Sequence, residues 1–437
     1  MSIQRAFVLI LVAVTFFLGV TGGAVHAEFS ETGAPLEPGS HLIGSDIIIS
    51  AVDNLQYEPA VAYSRKHRGY LVVWRNPDGI YGQRITGDGK FVGPSPFPIA
   101  TGSKIRREPA VDYDPINDRF LVVWMHDLNG DGSNWDLSGR FIHWDDSIPN
   151  PIEFKICPYF TNQWHPKVAY AETMREFLVV WADKTGTSSK IYGIRIKASD
   201  GSFPPPGYPQ IISTGAEYRD SPDVAYNLKR NEYLVVWDVG KSSLDIYGVR
   251  LTGDFVKLGA PPYEFSIADW PDDEGYPAVA ACKEADQFLV AWESKTSTPP
   301  VRLPDIYVRY VSGDGVPGSL HLLFNTPINE INADVSCDIS GQQYLVTWMQ
   351  QYSNSSGPYG IFAQMVFPNN TKGEPVEIKP LYTGDPDRTN PAVAGGHTNY
   401  FVAWEHMRNN TAFRDIHGRL FTPHVVFLPL ALRNYSH

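Results

Sequence analysis

The stretch DLNGDGSNWD, Asp127 to Asp136, holds residues whose spacing suits a cation. Asp127, Asn129 and Asp131 alternate, and Gly132 follows them. Oxygen ligands at positions 1, 3 and 5 ahead of a glycine open a calcium loop. The same letters also describe a tight turn between two strands. A complete EF-hand loop would place Glu at position 12, where Ser138 stands. The expectation is a structural calcium ion that stiffens the loop, with a plain turn as the alternative.

A second group suits sugar chemistry. Of eleven tryptophans, Trp135, Trp144, Trp164 and Trp270 lie outside the repeated segment described below. Three of them have polar company, with Trp135, Trp164 and Trp270 falling near Asp220, Asp269, Asp272, Asp273, His165 and Tyr218 in the repeat map. A flat aromatic face stacks on a sugar ring while carboxylates accept hydroxyl hydrogens. Trp135, Trp164, Trp270, Asp220, Asp269 and Asp272 are therefore the candidate ligand-binding residues. The competing role for the tryptophans is filling gaps in the core. Catalytic signatures are missing: the sequence has no sialidase-type Asp box, no HExxH, no GxSxG elbow and no glycine-rich phosphate loop opening a helix.

The chain has 437 residues, 43% hydrophobic and 19% charged, which is a globular composition. Aromatics reach 13%, with 37 glycines and 35 prolines, as in many strands joined by many turns. A net charge of −12 argues against nucleic acid as a partner. Residues 1–27 read as a secretory signal peptide: Arg5, an apolar run from Ala6 to Val20, then Val25 and Ala27 before a cleavage point. The expectation is a secreted or cell-surface protein with no membrane span after cleavage. Three cysteines, Cys157, Cys282 and Cys337, are too few for a disulfide framework, so buried thiols are expected, with a bridge between Cys282 and Cys337, near equivalent places in consecutive repeats, as the alternative.

What must position these residues is a repeat. YLVVW or a close relative ends at Trp74, Trp124, Trp181, Trp237, Trp292, Trp348 and Trp404, a period near 55. Upstream of each lies PAVAY or a relative, beginning at Pro59, Pro109, Pro166, Pro222, Pro277, Ala333 and Pro391. Downstream come a DIYG-like segment and a short apolar one. These four segments predict strands A, B, C and D. Strand B is apolar at consecutive positions, so both faces of its sheet need cover. Radial stacking of seven four-stranded sheets supplies it, which makes the expected fold an all-β, seven-bladed β-propeller over residues 28–422, followed by an apolar tail, 423–437.

The seventh copy lacks a strand D. Ile49 stands ten residues before Pro59, the spacing that also separates Ile99 from Pro109, Ile156 from Pro166, Ile212 from Pro222 and Ile267 from Pro277. The N-terminal segment is therefore expected to complete the last blade and close the ring.

These motifs resemble secreted bacterial seven-bladed propellers of the LVVW…IYG.R repeat type. That resemblance implies the fold and leaves the activity open. Antiparallel alternation puts the B–C and D–A loops on one face. The B–C loops vary in length while the A–B loops are nearly constant, so the B–C/D–A face is the expected binding face. The leading expectation is a monomeric binding module for a glycan or, second, a protein. The alternatives are a carbohydrate-active hydrolase or lyase using Asp/Glu on that face, and a passive surface scaffold.

Overall fold

The computed structural model describes residues 42–145, 153–157, 161–240, 243–283, 285–295, 303–324, 326–352, 357–379, 387–408 and 413–423. The expected signal peptide and the apolar tail beyond residue 423 lie outside them. The described residues form twenty-eight strands in seven antiparallel four-stranded sheets.

Each blade runs A to D from its inner edge outward. The A strands are Tyr57–Ser64, Arg106–Asp114, Asn162–Ala171, Arg219–Asn227, Asp273–Cys282, Glu330–Cys337 and Arg388–Gly395. Each touches the next, and the seventh touches the first, so the seven inner strands surround a central axis. Packing follows from the pattern of strand B. In blade 1, Leu71 and Val73 enter the core shared with Phe120, Val122 and Trp124 of blade 2. Tyr70, Val72 and Trp74 enter the opposite core, with Phe401 and Ala403 of blade 7. All five side chains are fully buried. Each consecutive apolar residue thus has its own neighbouring blade, and each large one buried contributes about 1.5–3 kcal/mol.

Ring closure is as the spacing foretold. Leu42–Ser50 pairs with strand C of blade 7, Arg414–Phe421, in the place strand D occupies elsewhere. Its Ile49 is buried in the core with Trp74, Phe401 and Leu420. In five blades a strand-C glycine makes room for the strand-D side chain. A Cβ on Gly248 would stand 3.0 Å from Cδ1 of Ile267, the strand-D isoleucine of its own blade. On Gly418 it would stand 3.1 Å from Cδ1 of Ile49. The N-terminal strand therefore fills the same notch as a true strand D.

One expectation is corrected. Cys282 and Cys337 are bridged, not buried thiols, with Cα atoms 5.4 Å apart across the ends of the A strands of blades 5 and 6. Blades 1 to 4 fill this end differently: Tyr63 packs on Tyr70, Tyr113 on Phe120, Tyr170 on Phe177 and Tyr226 on Tyr233, at centroid distances of 4.9, 4.8, 5.0 and 5.1 Å. Blades 5 and 6 have Ala281 and Cys337 at the tyrosine position. Blade 7 has Gly395 there, so the bridge ties together two of the three inner strands that lack the aromatic pair. Cys157 is buried outside it. Closing a loop of 55 residues stabilises by up to about 4 kcal/mol on a chain-entropy estimate. The Cys282→Ser/Cys337→Ser double variant is expected to unfold at markedly lower urea than the oxidised parent. Identical midpoints for the two would remove the bridge from the stability account.

Candidate functional site

Every A strand carries a bulge at the same place. In blade 1, Tyr57 pairs with Arg75 and Ala60 with Val73, so Glu58 and Pro59 together face Trp74. The same skip occurs opposite each of the other six repeat tryptophans. Proline suits the bulge because it brings no unpaired N–H. The residue before it is left-handed in all seven blades: Glu58, Glu108, His165, Ser221, Tyr276, Asn332 and Asn390 have φ between 47° and 57°. Such a backbone costs about 1–2 kcal/mol for a residue with a Cβ and favours glycine. No blade uses glycine there. The constant backbone thus carries a changing set of polar or aromatic side chains around the axis, on the B–C/D–A face.

The N–H groups of this ring are satisfied largely from the blade before. Glu405 Oε1 accepts from Glu58 N at 2.9 Å, Glu58 Oε2 from Glu108 N at 2.6 Å, and Glu108 Oε2 from His165 N at 3.0 Å. Ser221 N donates to Asp220 Oδ1 at 3.0 Å. Asp238 Oδ2 accepts from Tyr276 N at 3.4 Å, and Glu293 Oε2 from Asn332 N at 3.0 Å. Asn332 Nδ2 then donates to Asn390 Oδ1, and Asn390 bonds to Glu405, which closes the circuit. Six carboxylates therefore ring the channel mouth.

Their surroundings differ by sector. His165 Nδ1 lies 2.9 Å from Glu108 Oε2, and its Nε2 3.5 Å from Asp220 Oδ1. Burial opposes charge on both His165 and Glu108, but their mutual hydrogen bond and attraction outweigh it: the histidine is raised and Glu108 lowered. Lys184 bonds to Asp220 at 2.6 Å, Arg75 to Glu58 at 3.3 Å and Arg414 to Glu405 at 2.6 Å. Among the described residues, Asp238 and Glu293 have no ion pair of this kind. Burial, then the charge of Asp220, raises Asp238 to about 6. Burial raises Glu293 to about 7, with the charge of Asp238 adding to it. Between these two carboxylates stands Tyr276, 54% exposed.

The candidate residues from the sequence fall into two groups. Trp164 and Asp220 stand in A strands at the mouth, joined by Lys184, whose Nζ lies 5.1 Å above the Trp164 ring. Trp135 is the first residue of strand C of blade 2 rather than a loop residue, and it is only 3% exposed. Its ring packs on Trp164 at 5.7 Å and beneath Arg107, so no face remains for a ligand. Trp270 packs against Trp292 and Tyr307 at the junction of blades 4 and 5. Asp269 and Asp272 lie with it, acting on Asp245 and Glu274 and not on the mouth. Trp144 stacks on His67 at 4.8 Å.

In the DLNGDGSNWD loop both Asp127 oxygens and Asp131 Oδ1 accept local hydrogen bonds. Asp127 accepts from the backbone N–H of Asn129, Gly130 and Gly132. Asp131 Oδ1 accepts from Ser133 N, and Asn129 Nδ2 donates to Ser133 Oγ. These contacts shape the loop as a turn.

Sequence reasoning passed over the mouth ring except for His165 and Asp220. A signal was available: a polar or aromatic residue precedes the proline, or Ala333, in every copy.

Three residues before that proline, the seven blades bury Gln56, Arg106, Gln163, Arg219, Glu274, Glu330 and Arg388. The two glutamates carry a pH dependence. Burial raises each to about 8, helped by the charge of Asp245 at Glu274 and Asp305 at Glu330. A raised carboxyl favours the folded state only while protonated. Stability is therefore expected to fall as pH climbs from about 4.3, the ordinary glutamate value, to about 8. Glu274→Gln and Glu330→Gln should each flatten that fall in a series of thermal melts, and unchanged slopes would count against the burial argument.

No family model matches the chain, and no curated protein matches it. Solved structures of similar shape include the polysaccharide lyase Uly1, at 9% identity over 90% of this chain and 94% of that one, with a TM-score of 0.50. An oligogalacturonate lyase from Vibrio parahaemolyticus matches at 7% identity over 90% and 96%, with a TM-score of 0.51. At such identities the likeness establishes the fold alone.

Proposed function

We propose that this protein binds carbohydrate at the mouth of its channel. The observation that carries the reading is the left-handed ring: seven blades each hold a strained backbone that presents a polar or aromatic side chain to one spot. Strain kept seven times without recourse to glycine points to a use for those side chains. Exposed Tyr276 offers a flat face, and Glu293 beside it offers an acceptor for hydroxyl groups, while the buried Asp238 holds the Tyr276 backbone N–H. Sugar as the ligand class is in keeping with the two similar propellers, whose names are those of lyases of polysaccharide and oligogalacturonate. Secretion is part of this reading: the N-terminal segment has the form of a signal peptide, and a disulfide persists in oxidising compartments. A glycan array probed with the mature protein tests it, and an array without a bound spot would favour a protein ligand or a passive scaffold.

A second reading has its own support. Asp238 and Glu293, raised to about 6 and about 7, come from adjacent blades, and the charge of Asp238 helps raise Glu293. Two carboxyls held apart in proton affinity can serve as acid and base in glycoside cleavage. Reducing-sugar release by the parent, lost in Glu293→Gln, would establish it. Release unchanged in that variant would exclude this pair.

A further inference from the structure

An inner strand is an edge strand, and its inward N–H groups need partners. Two aspartates one residue past the bulge answer that need. Asp223 Oδ2 accepts from Val279 N at 2.7 Å, and Asp334 Oδ2 from Val393 N at 2.8 Å. Blade 3 puts Lys167 at this position, and the other four blades put alanine. Lys167 is solvent-exposed although it stands on the innermost strand, which places its side chain in the channel. Asp223, Asp334 and Glu108 keep its ammonium charged from beyond contact distance, outweighing burial. Within the described residues it makes no hydrogen bond and no ion pair. An ammonium and carboxylates separated in this way suit a bridging group that both accepts and donates, as water does and as a sugar hydroxyl would in its place.

Charged side chains cross the far end of the channel. Arg65 Nη1 lies 2.7 Å and Lys283 Nζ 3.1 Å from Glu172 Oε2. These residues belong to blades 1, 5 and 3, which are not neighbours, so they meet across the axis and bar the far mouth.

We infer that the channel is a blind cup that receives the end of a neutral carbohydrate chain, whose terminal hydroxyl bridges Lys167 and the aspartates of blades 4 and 6. This rests on the carbohydrate reading and narrows it to chain ends. A neutral sugar is specified because Glu58, Glu108, Asp238, Glu293, Asp223 and Asp334 line the way in and repel an acidic one.

The test uses the mature protein with cello-, xylo-, manno- and maltohexaose, each against its parent polymer at equal mass of sugar. A cup that takes chain ends should bind the hexaose more tightly than the polymer in proportion to the number of ends. Lys167→Met should weaken hexaose binding at least tenfold with an unchanged melting temperature. Should that variant fail to fold, Lys167→Gln is read in its place against the same threshold. Equal binding of hexaose and polymer, or parental affinity in the lysine variant, would overturn the end-on inference and leave the carbohydrate reading standing. Failure of all four hexaoses to bind at millimolar concentration would overturn both.

Discussion

A chain beginning at Ala51 is expected to lose its cooperative thermal transition or to melt far below the parent. Removing Leu42–Ser50 strips strand C of blade 7 of its partner along its length. It also empties the notch at Gly418 that Ile49 fills, and exposes Leu420 and Phe401, which are buried in the closed ring. The single change Ile49→Ala samples the same contact. A buried isoleucine cut to alanine costs about 2–5 kcal/mol, so its urea midpoint should fall clearly below the parent's. Closure joins the first and last blades through a strand with no covalent continuity to its sheet, so opening there frees two blade faces at once. A truncated protein that melts like the parent would mean the ring is held without its seam.

The second large effect concerns the mouth. Tyr276→Ala removes the one widely exposed side chain of the ring, and a lost aromatic stacking contact of about 1.4 kcal/mol corresponds to roughly tenfold in affinity. Glu293→Gln removes a charged acceptor, worth about 1.5–3 kcal/mol, or roughly tenfold to a hundredfold. The pH dependence follows in sign. A carboxylate accepts hydrogen bonds when ionised, and Glu293 and Asp238 gain protons near pH 7 and pH 6. Affinity should therefore weaken as pH falls through 7 and again through 6, and Glu293→Gln should lose the upper step. Titration calorimetry from pH 5 to 8 reads both. An affinity flat across that range would remove these two carboxylates from the site.

The blades are legible in the sequence because packing dictates its pattern. Strand B must be apolar at consecutive positions to serve two neighbours, and the glycine of strand C must admit an isoleucine at a fixed distance from the next proline. Ile49 obeys that spacing, so ring closure can be read from the amino-acid sequence alone. The ring of left-handed residues cannot. A residue before proline is ordinarily extended, so Glu58-Pro59 or Tyr276-Pro277 suggests a plain strand. Only the ladder reveals two residues facing one tryptophan. Trp135 is misplaced by the repeat pattern because strand C of blade 2 begins two residues earlier than that pattern, which carries the indole from a loop into the core. The disulfide is only half legible: Cys282 and Cys337 sit five and four residues past their repeat starts, which allows a bridge, but the packing of adjacent edge strands is what brings them together.

The most direct test of a carbohydrate site on the axis is a neutral-glycan array probed with three proteins: the parent, the mouth variant Tyr276→Ala/Glu293→Gln, and the outer-rim variant Tyr208→Ala, whose tyrosine is 56% exposed beside a cavity of about 220 Å³ between blades 3 and 4. The expected result is a set of bound spots shared by the parent and the rim variant and lost in the mouth variant. Spots kept by the mouth variant and lost by the rim variant would contradict an axial site.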